Sequence, residues 1–274
     1  MSNSDSIVHQ KRLLTISIVT FHPDFNELQN TLDSLVAALG KLDPDAFSIT
    51  IVDNSKHDSV SFFLKKKYAK LHCRLVHGHG NIGFGRGHNL VLQEMGEFHL
   101  ILNPDIKLQP DTILNAIAFM DANPSCGLIT PYAQWPTGER QYLCKRYPAA
   151  FDLMLRGFAP KSIRSFFKKR LDHYEMQYET QNNVYWNPPI VSGCFMFFRS
   201  AILRKIGGFD SAYFLYFEDF DLSLKVHKLA DIAYVPTVRI IHGGGHAAKK
   251  GLWHIQTFSQ SAMHFYKIHG FSVF

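Results

Sequence analysis

TISIVTFHPDFNELQNTLDSLVAALGKLDPDAFSITIVDNS, residues 15–55, contains a complete strand–helix–strand unit. Its first six residues form a β-branched run, and Pro23 then stands where a helix would open. Leu28, Leu32, Leu35, Val36 and Leu39 follow the 3.6-residue period of an amphipathic helix. Residues 47–52 (FSITIV) make a second strand, which ends at Asp53-Asn54-Ser55. Working outward, a helix is expected within 57–70, with Phe62, Phe63 and Leu64 apolar and Lys65, Lys66 and Lys67 facing solvent. Residues 71–77 read as a short third strand before a glycine-rich turn, and residues 87–95 as a helix. Residues 98–102 (FHLIL) are a buried strand leading into Asn103-Pro104-Asp105. Pro110 opens a helix that stops at Asn123-Pro124, and residues 127–130 supply another strand. This alternation predicts an α/β fold of right-handed βαβ units on a mainly parallel sheet. The strands end in Thr20, Asp53, Asn103 and Asp105, and in open α/β sheets the ligand crevice lies beyond those carboxyl ends.

The last third has a different character. Residues 188–198 (PPIVSGCFMFF) return to strand character, residues 219–229 look helical, and 232–235 and 238–241 read as two short strands. A loop, His242-Gly243-Gly244-Gly245-His246, follows, and a helical tail is expected at 254–268. The stretch FLYFEDFDLSLK, residues 214–225, sets Glu218, Asp219 and Asp221 among Phe214, Tyr216, Phe217 and Phe220. Carboxylates in such company are costly to desolvate unless paired, bound or used. Burial raises their pKa, which suits a general base taking a proton from a hydroxyl. An acidic helix N-terminus complementing the macrodipole is the plainer alternative.

The bulk properties narrow the classes. A chain of 274 residues, 46% hydrophobic and 19% charged, can bury a sizeable core. Four widely spaced cysteines read as free thiols of a reducing compartment. No stretch has the pattern of a cleaved leader or the length to span a bilayer, so a cytoplasmic or membrane-peripheral location is expected. The net charge is +6, and eight of the basic residues fall between Lys145 and Arg170 against a single acid, Asp152. Such a patch suggests an anionic partner, whereas a solvated helical face is the alternative. Short amphipathic helices are expected across 132–185.

Two motifs mislead. Gly78-His79-Gly80-Asn81-Ile82-Gly83 matches the dinucleotide-binding GxGxxG, but it follows two complete strand–helix units and its glycines run on to Gly85 and Gly87. His242 and His246 have zinc-helix spacing, but three glycines between them oppose a helix.

Eight motifs fall in chain order: TFHP at 20–23, VDNS at 52–55, GNIGFGRGHN at 80–89, LNPD at 102–105, SGCFMFF at 192–198, GGFD at 207–210, YFEDFDL at 216–222, and His242 after a strand. Together they resemble the inverting glycosyltransferases of family 2, which have the GT-A fold, and most of all the bacterial rhamnosyltransferases. The resemblance covers residues 14–245 and implies one GT-A domain across 1–274. Residues 132–185 would be a variable basic and aromatic insertion on the acceptor or membrane side, and 250–274 a helical tail.

The resemblance also assigns roles. Thr20 and Asp53 match the positions that hold nucleobase and ribose; a turn or cap role for Asp53 is the alternative. Asn81, Gly83, Arg86 and Asn89 of the glycine-rich loop, with Asn103, would bind the donor. Asp105 and His242 would hold Mg²⁺ or Mn²⁺ on the diphosphate. Asn103 stands where the family commonly has a first carboxylate, which removes one ligand charge. Asp219 matches the catalytic base, Glu218 would position the acceptor, and Trp186 with Tyr185 could stack on a sugar ring or serve packing. The implied reaction moves a sugar, with dTDP-rhamnose as donor, to a hydroxyl of a lipopolysaccharide, cell-surface polysaccharide or lipid-linked acceptor. Contact with an anionic membrane surface is expected, and no nucleic acid. A UDP-hexose donor, or a non-catalytic nucleotide-sugar-binding module, are the alternatives.

Overall fold

The computed structural model describes residues 12–244 and 251–273. In chain order β1 (Leu14–Thr20), α1 (Phe25–Leu39), β2 (Phe47–Asp53), α2 (Ser59–Lys67) and β3 (Cys73–Val76) form the first βαβαβ run. Then come α3 (Phe84–Asn89), β4 (Phe98–Leu102), β5 (Ile106–Leu108), α4 (Thr112–Ala122) and β6 (Cys126–Gln134). Two short strands, β7 (Arg140–Gln141) and β8 (Cys144–Lys145), precede three helices, α5 (Ala150–Phe158), α6 (Lys161–Phe166) and α7 (Lys168–Tyr174). The chain closes with β9 (Tyr185–Trp186), β10 (Ile190–Val191), β11 (Phe195–Arg199), α8 (Ser200–Ile206), α9 (Glu218–Val226), β12 (Asp231–His242) and α10 (Leu252–His269).

One sheet runs β3-β2-β1-β4-β11-β6-β12-β5. The pairs β1 with β2, β1 with β4, β2 with β3, and β12 with β6 are parallel, while β11 runs antiparallel between β4 and β6. The sheet is therefore mixed but mainly parallel, and β1, β2, β4, β6 and β12 present their carboxyl ends to one edge. β1 is buried along its whole length, as a strand covered on both faces must be. The α1 stripe Leu28, Leu32, Leu35 and Leu39 packs into the core with Ile16, Ile18 and Ile51. Asp24 caps the helix, accepting from the Asn26 and Glu27 N–H groups. Val36 does not join that stripe and is exposed, because the turn that buries Leu32 and Leu35 swings position 36 outward.

Several expected elements differ. The two strands read at 232–235 and 238–241 are one strand, β12, whose register against β6 shifts between Val235 and Arg239. Pro236 lies in that shift; lacking an N–H, it is accommodated by a bulge rather than by a chain break. The strand read at 188–198 is two, since β10 pairs with β8 in a separate ribbon and residues 192–194 turn the chain into β11. The helix expected at 87–95 is the short α3 followed by a 3₁₀ turn at Leu92–Glu94. β5 and α8 were not anticipated. Gly245 and His246 of the glycine loop lie outside the described residues.

The basic segment also needs correction. Arg146 pairs with Glu179, Lys168 with Asp172, Arg170 with Asp152, and Lys145 and Arg156 both reach Glu175. Lys145 is buried, which pulls its ammonium down to about 8 with Arg156 adding to the effect. Three of these acids follow the basic run in sequence and fold back onto it. Lys161, Arg164 and Lys169 keep no ion pair among the described residues. No helix among the described residues is long and apolar enough to cross a membrane.

Candidate active site

At the carboxyl ends of β1 and β2, Thr20 donates its hydroxyl to Asp53 Oδ1 at 3.0 Å, and Asp53 also accepts the Ser55 N–H at 3.1 Å. Both side chains are buried. Asn54, which sequence reasoning passed over, latches this corner to the glycine-rich loop. Its Nδ2 donates to the Gly83 carbonyl at 3.0 Å, and its Oδ1 lies 2.9 Å from His79 Nε2. Asn81 Oδ1 accepts the Gly83 N–H at 3.1 Å.

The glycines of that loop serve close packing. Gly83 has φ +93°, and an added Cβ would collide with the Phe214 carbonyl oxygen, which accepts the Phe84 N–H. The loop is thus docked on the segment that precedes Glu218. Arg86 Nε donates to the Ser211 carbonyl at 2.6 Å. Asn89 straps down residues 207–210: its Nδ2 donates to the Phe209 carbonyl and its Oδ1 accepts the Phe209 N–H.

β4 and β12 bring Asp105 and His242 together, with Nε2 3.5 Å from Asp105 Oδ2. The Gly243 N–H donates to the Asp105 carbonyl at 2.9 Å and fixes the approach. His242 Nδ1 lies 2.8 Å from Gln141 Oε1, and Trp135 stacks on the ring. A bond of this kind sets which imidazole nitrogen is available, and nothing in the sequence marked Gln141 for that task. Burial alone would lower the His242 pKa, but the adjoining Cys194 sulfur and the Asp105 carboxylate reverse this and take it up to about 10, so a cation bound there would have to displace the imidazolium proton. Asn103 Oδ1, Asp105 Oδ1 and His242 Nε2 are buried without a hydrogen-bond partner. Such orphans are rare in folded proteins, and a carboxylate, an amide oxygen and an imidazole suit a divalent cation such as Mg²⁺ or Mn²⁺. Among the described residues no cluster of three His, Cys, Asp or Glu side chains could hold a metal, and a cation at Asp105 and His242 would need its remaining ligands from elsewhere, such as substrate oxygens.

Asp219 sits in the first turn of α9. Its Oδ2 accepts the Gly193 N–H at 2.9 Å and its Oδ1 the Phe220 N–H at 3.0 Å. Burial raises the pKa of both Asp219 and Glu218, and the neighbouring Asp219 charge raises Glu218 further. Glu218 is buried and its Oε2 has no partner. Asp221 instead is paired with Lys225 and His269, and anchors α10. The turn at 192–194 stands between these carboxyls and the Asp105–His242 pair: Gly193 binds Asp219, and the next residue, Cys194, accepts the Asn103 N–H at 2.9 Å. The sequence had marked SGCFMFF as a motif without assigning Gly193 this role.

The approach to α9 is strained. Tyr216 and Phe217 have φ +71° and +65°, a conformation that costs on the order of 1–3 kcal/mol for a non-glycine residue. α10 holds it, through Tyr216 hydroxyl to His254 Nδ1 at 2.9 Å and Ser261 to the Leu215 carbonyl at 2.8 Å. Phe217 packs there with Phe265.

Trp186 pairs with Ala233 near the start of β12 and its ring lies against Phe119 of α4. Nine residues of strand, about 30 Å at 3.3 Å each, separate Ala233 from His242. Trp186 lies at the far end of the sheet from His242, partly exposed against Phe119.

Comparison with known proteins agrees with this architecture. The sequence profile described as glycosyl transferase family 2 matches residues 16–207. The chain therefore belongs to glycosyltransferase family 2, a family of sugar-transferring enzymes. It is similar to the N-acetylglucosaminyl-diphospho-decaprenol L-rhamnosyltransferase of Mycobacterium tuberculosis, 23% identical over 254 residues that cover 86% of this chain and 77% of the relative. It is likewise similar to the rhamnosyltransferase WbbL of Escherichia coli, 24% identical over 257 residues, 88% of this chain and 89% of that one. Among solved structures, a mannosyltransferase of Pyrobaculum calidifontis in complex with GDP-Man and Mn²⁺ superposes with a TM-score of 0.62 at 19% identity, covering 95% of this chain and 65% of that one. The fold is GT-A.

Proposed function

We propose that this protein transfers a sugar, rhamnose from dTDP-rhamnose, to a hydroxyl of a lipid-linked or growing cell-surface glycan, with inversion at the anomeric carbon. The observation that carries the reading is Asp219, held by the Gly193 N–H at the head of α9 and separated from Asp105 and His242 by a single turn. The two rhamnosyltransferase relatives support the choice of sugar. Thr20 and Asp53, already locked to each other, present a fixed edge to the nucleoside. Asp105 and His242 would hold a divalent cation, which would supply positive charge for the diphosphate leaving group.

Asp219 accepts the acceptor hydroxyl's proton while that oxygen bonds to the anomeric carbon. The bond from that carbon to the diphosphate oxygen breaks, and the nucleoside diphosphate leaves with the electron pair. A single displacement from the opposite face inverts the configuration, with no sugar–protein bond. The raised Asp219 pKa brings the carboxylate closer to the basicity that proton transfer needs. Glu218, unpartnered beside it, is placed to orient the acceptor.

Thermal-shift titration with nucleotide sugars, with and without Mn²⁺, tests this reading. dTDP-rhamnose should stabilise the protein more in the presence of Mn²⁺ and more than UDP-hexoses do. Failure of every nucleoside diphosphate to stabilise it would remove the proposal.

A further inference from the structure

Beside the candidate active site lies a cleft of about 990 Å³ between the α5–α7 helices and the start of α10. One wall carries Arg156, Lys161, Arg164 and Lys168; the other carries Tyr216, His254 and Phe258. Asp172 and Glu175 also line it and are taken up by Lys168 and Arg156. Lys161 and Arg164 therefore carry the charge excess of the cleft, and both are exposed.

Tyr216 links this cleft to the chemistry. It is three residues before Asp219, and three residues of chain span at most about 11 Å. At its Tyr216 end the cleft therefore lies within about 11 Å of the proposed base, a span of about two sugar rings. Its lining excess of two positive charges suits a compact anion.

The surroundings are apolar. Met154, Ile163 and Phe166 on one wall's helices, and Leu252, Trp253 and Ile255 on the other's, are exposed, Phe166 by 84% and Leu252 by 85%. Large exposed apolar side chains interleaved with unpaired cations are the composition of a surface that meets a membrane interface.

We propose that this cleft binds the diphosphate of a prenyl-diphosphate-linked acceptor, with Lys161 and Arg164 as its ligands and the apolar rim against the bilayer that carries the lipid. This rests on the reading above that the acceptor is lipid-linked, and names the part of the protein that recognises it. Lys161 and Arg164 bind the anion and position the first sugar; neither touches the reacting atoms.

The test uses the full chain and a Lys161→Gln/Arg164→Gln variant. Both residues are exposed, so folding should be unaffected, and a Lys161→Arg variant should retain parental binding. The probes are farnesyl diphosphate, inorganic pyrophosphate and vesicles of phosphatidylglycerol. Two lost charge-assisted contacts should weaken farnesyl diphosphate binding about 100-fold. Mn²⁺-dependent binding of nucleoside diphosphate should be unchanged, and in a transfer assay the acceptor KM should rise while the donor KM stays. Parent-like farnesyl diphosphate affinity in the double variant would overturn the proposal. Equal parental affinity for pyrophosphate and farnesyl diphosphate would overturn its lipid part. Equally tight binding to phosphatidylglycerol vesicles alone would replace the specific site with a general membrane surface. A parent that binds farnesyl diphosphate but no nucleotide would leave the cleft in place and remove the transferase reading.

Discussion

At the carboxyl ends of β1 and β2, Thr20, Asp53, Asn54 and Asn81 direct their polar atoms at one another and at the glycine-rich loop. Elsewhere in the site, Asn103, Asp105 and Glu218 each leave a buried polar atom without a hydrogen-bond partner. The first corner is finished by the fold and can hold a shape for a ligand without needing one. The second is unfinished, and an unpaired buried polar atom costs about 1–3 kcal/mol. Ligand binding should therefore be rigid and forgiving at the first corner, and should both require and stabilise the second.

The largest expected effect tests the second corner. Asp219→Asn keeps the side chain's shape but removes the proton acceptor, and should lower the transfer rate about 10²–10⁴-fold with nucleotide affinity retained. A variant that turns over like the parent would take the chemistry away from α9. Because burial raises the Asp219 pKa, the acid limb of the parental pH–rate profile should lie above the ordinary carboxylate range and vanish in the variant. The next effect concerns the imidazole. Gln141→Leu frees His242 Nδ1 from its partner and should weaken Mn²⁺ binding about ten-fold, read from the Mn²⁺ concentration needed for nucleotide-dependent stabilisation.

The smallest effect separates strain from structure at Glu218. Its raised pKa means that the folded protein binds this proton more tightly than the unfolded chain does. Stability therefore falls as pH rises from the ordinary carboxylate range through the raised value. Glu218→Gln should remove that loss, raising Tm by about 2–4 °C at pH 8 and leaving it unchanged at pH 4. A lower Tm at pH 8 would show that the carboxylate is structurally required, and would erase the contrast between the two corners.

The parallel half of the sheet was legible because its signals are local. A β-branched run, a capped apolar stripe and a polar strand end each occupy a few consecutive residues. The strand ends at Thr20 and Asp53 and the carboxylates of α9 could be singled out for the same reason. The placement of Trp186 at the far end of the sheet was not legible because its partner Phe119 lies far away in sequence, and the same holds for the bonds of Asn89 to Phe209. The basic run looked like an open patch because Asp172, Glu175 and Glu179 follow it and fold back onto it.

Alone, the sequence determined that strands and helices alternate, where the parallel strands β1, β2 and β4 end, and which side chains could carry chemistry, since these follow from backbone preference and the spacing of apolar residues. Only the tertiary structure decided that β11 inserts antiparallel between β4 and β6, and that its leading turn sets Gly193 against Asp219 and Cys194 beside His242. It also decided which cations of the 145–170 run stay without an ion pair. Sequence patterns report the face a residue presents. Which polar atom finds a partner depends on contacts closed over tens to more than a hundred residues, and those are fixed only when the whole core packs.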